Sequence, residues 1–291
     1  MLRITRILAP NPSIYTLEGT NTWIVGEDPA IVIDPGPSIP SHLDEVAITA
    51  GRVAQVLVTH DHPDHAPGAA AFARRVGATL HAWKLDGAEH LRDGQTFRAG
   101  NAEIIAVHTP GHTSDHVVFF VPAEGALFTG DAVVGKGTSF IDPPDGDLAQ
   151  YLRSLRRMQE LRARTIYPGH GPVVLDAPAK LHEYVEHRAE REHQVVAALD
   201  GGPQTIDQLV EVIYADYPLD VYPLAARSVL AHLLKLEGEG RAERKGKGDG
   251  ATWRVSAARE CARCGKPVKG RARYCGSCSL ILLQEGAGTE G

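Results

Sequence analysis

The sequence predicts a mixed α/β fold, and two observations predict it. Four short apolar runs, residues 53–58, 106–107, 126–128 and 165–167, each stop within a few residues of a Gly or Pro and an ionisable side chain, as strands do where they enter turns. Other stretches carry helical spacing, such as residues 148–161 with Leu148, Leu152, Leu155 and Met158.

The elements follow in order. Residues 15–26 and 30–34 are β-rich and joined by Gly26-Glu27-Asp28-Pro29, which predicts a hairpin ended by Pro35-Gly36-Pro37. Gly51 ahead of Val53, and Gly77 ahead of residues 78–82, mark returns from helix to strand. Residues 66–76 predict a helix after a His-rich loop, and residues 148–161 a second one. Beyond Ala198 the pattern changes. Leu199-Asp200-Gly201-Gly202-Pro203 breaks a helix, Thr205 is placed to cap the next, and residues 224–236 form an amphipathic helix. A basic run at 241–247 and a short strand at 251–255 complete a helix-helix-hairpin unit.

The most telling stretch is Thr59-His60-Asp61-His62-Pro63-Asp64-His65, three imidazoles and a ligand-type carboxylate straight after a strand. Imidazole and carboxylate packed this tightly are the donors a divalent metal of zinc's type takes. His112, Asp131 and His170 each stand just past another apolar run, beside glycine. Ligands at strand ends are held rigidly yet face a cleft. Asp61, Asp115 and His116 are candidates to orient the metal-bound rings, a core or loop role being equally open to each, and Asp34 before Pro35-Gly36 is a candidate support rather than a ligand. His42, His81, His90, His182, His187, His193 and His232 read as ordinary surface or packing residues.

In that order these residues resemble the metallo-beta-lactamase superfamily over residues 1–190. The resemblance implies an αββα sandwich with a two-metal centre along one edge. It implies that His60, His62 and His112 hold one ion, that Asp64, His65 and His170 hold the other, and that Asp131 bridges two Zn2+. Two ions about 3.5–4 Å apart repel, so a bridging carboxylate and hydroxide are needed, and coordination brings the pKa of water to about 7. Asp64 would orient the nucleophile or take its proton. Asp131 stands where antibiotic-hydrolysing members with two zincs carry Cys, which argues against a lactamase. Residues 135–147 and 187–192, with the unit after Ala198, resemble the beta-lactamase-like protein 2 branch, which includes members acting on single-stranded RNA and bears a C-terminal winged helix. The interval from Asp131 to His170 is too short for the large domain inserted in some nucleases of the superfamily.

The tail carries a second metal signal. Cys261, Cys264, Cys275 and Cys278 form two CxxC pairs that suit a closed tetrahedral structural Zn2+, as in a small zinc ribbon or knuckle. Arg263, Lys266, Lys269, Arg271 and Arg273 cluster there against a whole-chain net charge of −6 and could attract phosphates. The predicted organisation is a catalytic domain at 1–198, a winged helix at 199–256, a zinc module at 257–280 and a tail at 281–291.

Clustered cysteines are not distributed as in a disulfide-stapled secreted protein, and residues 1–8 are too short and too charged for a secretory signal. No apolar run reaches 18 residues, so a membrane-spanning protein is excluded and cytoplasm is predicted. The expected function is hydrolysis of single-stranded RNA. The alternatives are a glyoxalase-II-like thioester hydrolase and a nucleic-acid-binding regulator on a hydrolase scaffold. A homodimer is compatible with the sequence.

Overall fold

A computed structural model describes residues 2–248 and 250–256, together with the paired strands Arg259–Glu260 and Pro267–Val268. In chain order the elements are β1 (Ile4–Leu8), β2 (Asn21–Val25), β3 (Ala30–Ile33), α1 (Pro40–Ala50), β4 (Val53–Leu57), α2 (Ala69–Val76), β5 (Thr79–Ala82), β6 (Glu89–His90), β7 (Thr96–Ala99) and β8 (Ala102–His108). There follow β9 (Val117–Val121), β10 (Ala126–Gly130), α3 (Leu148–Glu160), β11 (Thr165–Pro168), α4 (Ala177–Leu199), α5 (Ile206–Ile213), α6 (Tyr222–Gly238), β12 (Ala242–Lys245), β13 (Thr252–Val255), β14 (Arg259–Glu260) and β15 (Pro267–Val268). The chain divides into two compact units, residues 1–188 and 189–291, and the division falls inside α4, where the sequence reading set it at residue 198.

The first unit is an αββα sandwich. One sheet has the order β1-β2-β3-β4-β5-β6 and the other β11-β10-β9-β8-β7. Strand periodicity of two sorts the side chains. Trp23, Val25, Ile31, Ile33 and Leu57 of the first sheet face Ile104, Phe119 and Phe128 of the second in one buried cluster. Ile24, Val32 and Val56 point the other way, against Leu43 and Val46 of α1 and Phe72 of α2. Strands buried on both faces carry near-continuous apolar sequence, which is why β3 and the Trp23-Ile24-Val25 end of β2 do not alternate with polar residues. The far face of the second sheet carries buried Val118, Leu127 and Ile166, and α3 runs beside it with Tyr151, Leu155 and Met158 buried.

Strand direction decides where the chain's chemistry goes. β3 and β4 are parallel, β8 and β10 are both antiparallel to β9, and β11 is parallel to β10. The C-terminal ends of β3, β4, β8, β10 and β11 are the ends that lead to Asp34, His60, His112, Asp131 and His170. α3 ties down two of the loops involved. Tyr151 Oη donates to Ala132 O at 2.6 Å, and Ser154 Oγ to Pro110 O at 2.7 Å. Arg188 donates to Ser139 O and lies 5.5 Å over the Tyr151 ring, while Tyr184 Oη accepts from Val134 N at 2.9 Å.

In the second unit Leu209, Val229, Leu233, Leu236 and Trp253 form a core with Val195 and Leu199. Thr205 caps α5 in a reciprocal box with Gln208, β12 pairs β13 antiparallel as a hairpin, and β14 pairs β15. Cys261, Cys264, Cys275 and Cys278, and the basic residues Arg263, Lys266, Lys269, Arg271 and Arg273, lie outside the described residues.

Candidate metal centre

The loop after β4 turns back on itself, with His65 N and Ala66 N both donating to His62 O at 3.0 and 3.1 Å. That turn sets His60 and His62 to one side, Asp64 and His65 to the other. Two groups of donor atoms result: His60, His62, His112 and Asp131, and Asp64, His65 and His170, each with ligand atoms within 4.8 Å of one another. All seven candidates are thus brought together, and in the division the resemblance implied.

Asp131 faces both groups. Its Oδ1 lies 3.3 and 3.2 Å from Nε2 of His65 and His170, and its Oδ2 lies 3.9 and 3.8 Å from Nε2 of His60 and His112. Asp64 Oδ2 stands 3.2 and 3.1 Å from the same two rings of the second group. Gly169 makes this approach feasible, since a Cβ there would fall 2.7 Å from Asp131 Oδ1 and 2.7 Å from His65 Cε1.

The rings are oriented from behind. His65 Nδ1 donates to Asp34 Oδ2 at 2.9 Å, His112 Nδ1 to Phe140 O at 2.7 Å, and His170 Nδ1 to Gly19 O at 3.2 Å. Thr59 Oγ1 donates to Asp34 Oδ2 at 2.7 Å and is left to accept from His60 Nδ1 at 2.9 Å. With each Nδ1–H committed outward, four Nε2 atoms turn inward, and His60 Nε2 is buried with no hydrogen-bond partner. His62 presents Nδ1 instead, 3.2 Å from His112 Nε2. Inward lone pairs, an orphaned buried nitrogen and two carboxylates are a donor set that fits two divalent ions.

The electrostatics of these side chains agree. Burial and the neighbouring His65 push His60 well below its usual pKa, and burial with nearby His62 takes His112 down to about 4. In the second group burial also disfavours charge, but Asp131 and Asp64 outweigh it, raising His170 to about 9 and His65 well above the ordinary value. Asp64 and Asp131 are held well below the usual carboxylate range against the effect of burial, chiefly by His65, with His170 contributing. Protons on His65 and His170 occupy the place a cation takes.

The predicted supports divide. Asp34 braces His65 and Thr59 from a left-handed backbone position, φ +48°. Asp115 acts on the loop, its Oδ2 accepting from Asp61 N at 2.9 Å. The Asp61 carboxyl is exposed and makes no hydrogen bond to a candidate ligand among the described residues; burial and nearby Asp115 raise its pKa. His116 packs, its ring 5.0 Å from that of His60 and its Nδ1 3.1 Å from Thr109 Oγ1. Sequence reasoning missed Thr59, adjacent to the first ligand and readable from that adjacency, and Thr20, whose Oγ1 donates to Asp64 Oδ2 at 2.9 Å from 44 residues away.

The family profile of the Metallo-beta-lactamase superfamily matches residues 15–104 and 85–170, which include every one of these seven side chains. The chain belongs to the metallo-beta-lactamase superfamily. It is a metal-dependent hydrolase of that family, and the profile of the Beta-lactamase associated winged helix domain matches residues 205–253. Among relatives, an Atrochrysone carboxyl ACP thioesterase from Aspergillus chevalieri is 35% identical over 81% of this chain and 82% of its own length. A Beta-lactamase-like protein 2 homolog from Drosophila melanogaster is 34% identical over 82% of this chain and 89% of its own. A Beta-lactamase domain protein from Burkholderia ambifaria shares the fold with a TM-score of 0.75 at 21% identity, covering 88% of this chain and 91% of that one.

Proposed function

We propose that this hydrolase cleaves phosphodiester bonds of single-stranded RNA at a two-metal centre. The observation that carries the two-metal reading is Asp131, one carboxylate oxygen toward each group. His60, His62 and His112 would hold one Zn2+, Asp64, His65 and His170 the other, with Asp131 shared. When bound, the pair supplies Lewis acidity and a water whose pKa falls to about 7. Asp64, 22% exposed and braced by Thr20, would orient the nucleophile or take its proton. Asp34, through His65 and Thr59, keeps the imidazoles from turning.

Support for RNA comes from the winged helix appended to the hydrolase, a fold that serves nucleic-acid binding. In the tail, a Zn2+ on Cys261, Cys264, Cys275 and Cys278 would fold a small module presenting Arg263, Lys266, Lys269, Arg271 and Arg273 to phosphates. The reading includes cytoplasmic work. A second reading, thioester hydrolysis, is favoured by the 35% identical relative named as an ACP thioesterase. The test is to assay the metal-loaded protein on single-stranded RNA, a glutathione thioester and a chromogenic lactam. RNA cleavage abolished by Asp64→Ala is expected. Brisk thioester turnover without RNA cleavage would transfer the assignment to the second reading.

A further inference from the structure

Beside the candidate metal centre, the same sheet edge carries a second constellation. Val58, which leads into the metal loop, donates its N–H to His81 O at 3.0 Å, so β5 runs beside that loop and delivers Trp83 next to it. The Trp83 indole stacks on the His108 ring, centroids 3.7 Å apart and planes 4° from parallel. His108 ends β8, and its Nε2 donates to Ser114 O at 3.2 Å; the next residue, Asp115, holds Asp61 N. The stack is therefore built against the two loops that carry His60, His62 and His112.

Trp83, Lys84, Leu85 and His90 line a pocket of about 380 Å3. His90, whose ring lies 5.4 Å from the indole, also lines a neighbouring pocket of about 430 Å3 with Arg92. The two pockets have His90 in common, and together they are termed the groove. Among the described residues Lys84 and Arg92 form no ion pair. One of the acids along the groove, Asp93, is held by Arg157 at 2.7 Å, while Glu89 stays exposed and 3.6 Å from His81. Asp86 remains at the rim.

We propose that this groove is a nucleotide-binding subsite, in which a nucleobase lies against Trp83 and His90 and the adjoining phosphates meet Lys84 and Arg92. Aromatic faces accept any base by stacking, and cations spaced along a groove follow the backbone between bases. The metal centre adjoins the groove, so a strand held here has a neighbouring segment at the hydrolytic site. The inference deepens the RNA reading and rests on it for the groove's purpose, though binding can be measured without catalysis.

Tryptophan fluorescence reads it directly. Trp23 and Trp253 are 3% and 1% exposed, while Trp83 is half-buried and open to a ligand. Adenosine 5′-monophosphate should quench the full chain saturably, and Trp83→Phe should abolish the quenching. Because both are exposed, Lys84→Ala and Arg92→Ala should fold normally; together they should weaken the nucleotide, but not adenosine, by about tenfold. His90→Ala should weaken both, by about fivefold or more. Quenching should survive Asp131→Ala, which separates the groove from phosphate binding at the metal centre. On single-stranded RNA the Lys84/Arg92 double variant should raise KM with kcat little changed. No saturable quenching, or constants unchanged in all three surface variants, would overturn the subsite. Intact quenching in a protein that leaves RNA uncut would instead sink the RNA reading and leave the groove standing.

Discussion

Asp131 and Asp34 do different work with the same functional group. Among the described residues Asp131 is the only carboxylate in the centre with an oxygen toward both imidazole sets, so Asp131→Ala should remove at least one of two bound ions and abolish turnover. Elemental analysis of the variant checks this, and two retained ions would contradict it. Asp34 acts through the outward face of the rings. Asp34→Asn should cost about 10- to 100-fold in metal affinity with the fold intact, because it weakens the bond to His65 and the one to Thr59 together. The protonation of His170 supplies a pH prediction. Its pKa rises from 6.5 to about 9 in the metal-free fold, so the stability that proton lends is full below pH 6.5 and lost as pH rises through 9. A metal ion displaces the same proton, so affinity at the Asp64, His65 and His170 group should climb as pH rises toward 9. Chelator-competition titrations across that range measure it, and a flat profile would refute the linkage.

Helices and loops show where local patterns carried the reading and where they ran out. Thr205 is legible as a cap because Thr is favoured ahead of an apolar helical run after a Gly-Pro break, and the structure adds a reciprocal box with Gln208. Thr205→Ala should lower stability by about 1 kcal/mol, read from chemical denaturation followed in the second unit. The helix expected at residues 66–76 begins only at Ala69, since His62 O captures the N–H groups of His65 and Ala66 in the metal loop's own turn. Ligand geometry overrode helical propensity there. Among the strands the structure adds to those the sequence predicts are β9, an unbroken Val-Val-Phe-Phe-Val run after His116, and β1 near the N-terminus. α3 has a role that no spacing could announce. Its Tyr151 Oη holds Ala132, next to Asp131, so Tyr151→Phe should loosen the bridge and weaken metal binding more than it lowers stability, the latter by about 1 kcal/mol.

Across the whole molecule, among the described residues no helix is long and apolar enough to cross a membrane. Metal content is the global test. The chain should carry about three ions, two in the centre and one in the tail, and the pair Cys261→Ser with Cys264→Ser should reduce this to about two. A count near one in the native chain would sink the two-metal reading. The sequence by itself determined which residues are candidate ligands and in what order, because a metal selects imidazole and carboxylate by type and a strand-turn places them by spacing. It likewise determined the winged-helix pattern, whose apolar periodicity and cap are local. Only the tertiary structure decided which oxygen of Asp131 faces which group, that His116 packs rather than orients, that Thr20 reaches Asp64, and that Trp83 stacks on His108. Those partners stand 7 to 71 residues from one another, and what brings them into contact is the register of two packed sheets, a property of paired strands that no single segment contains.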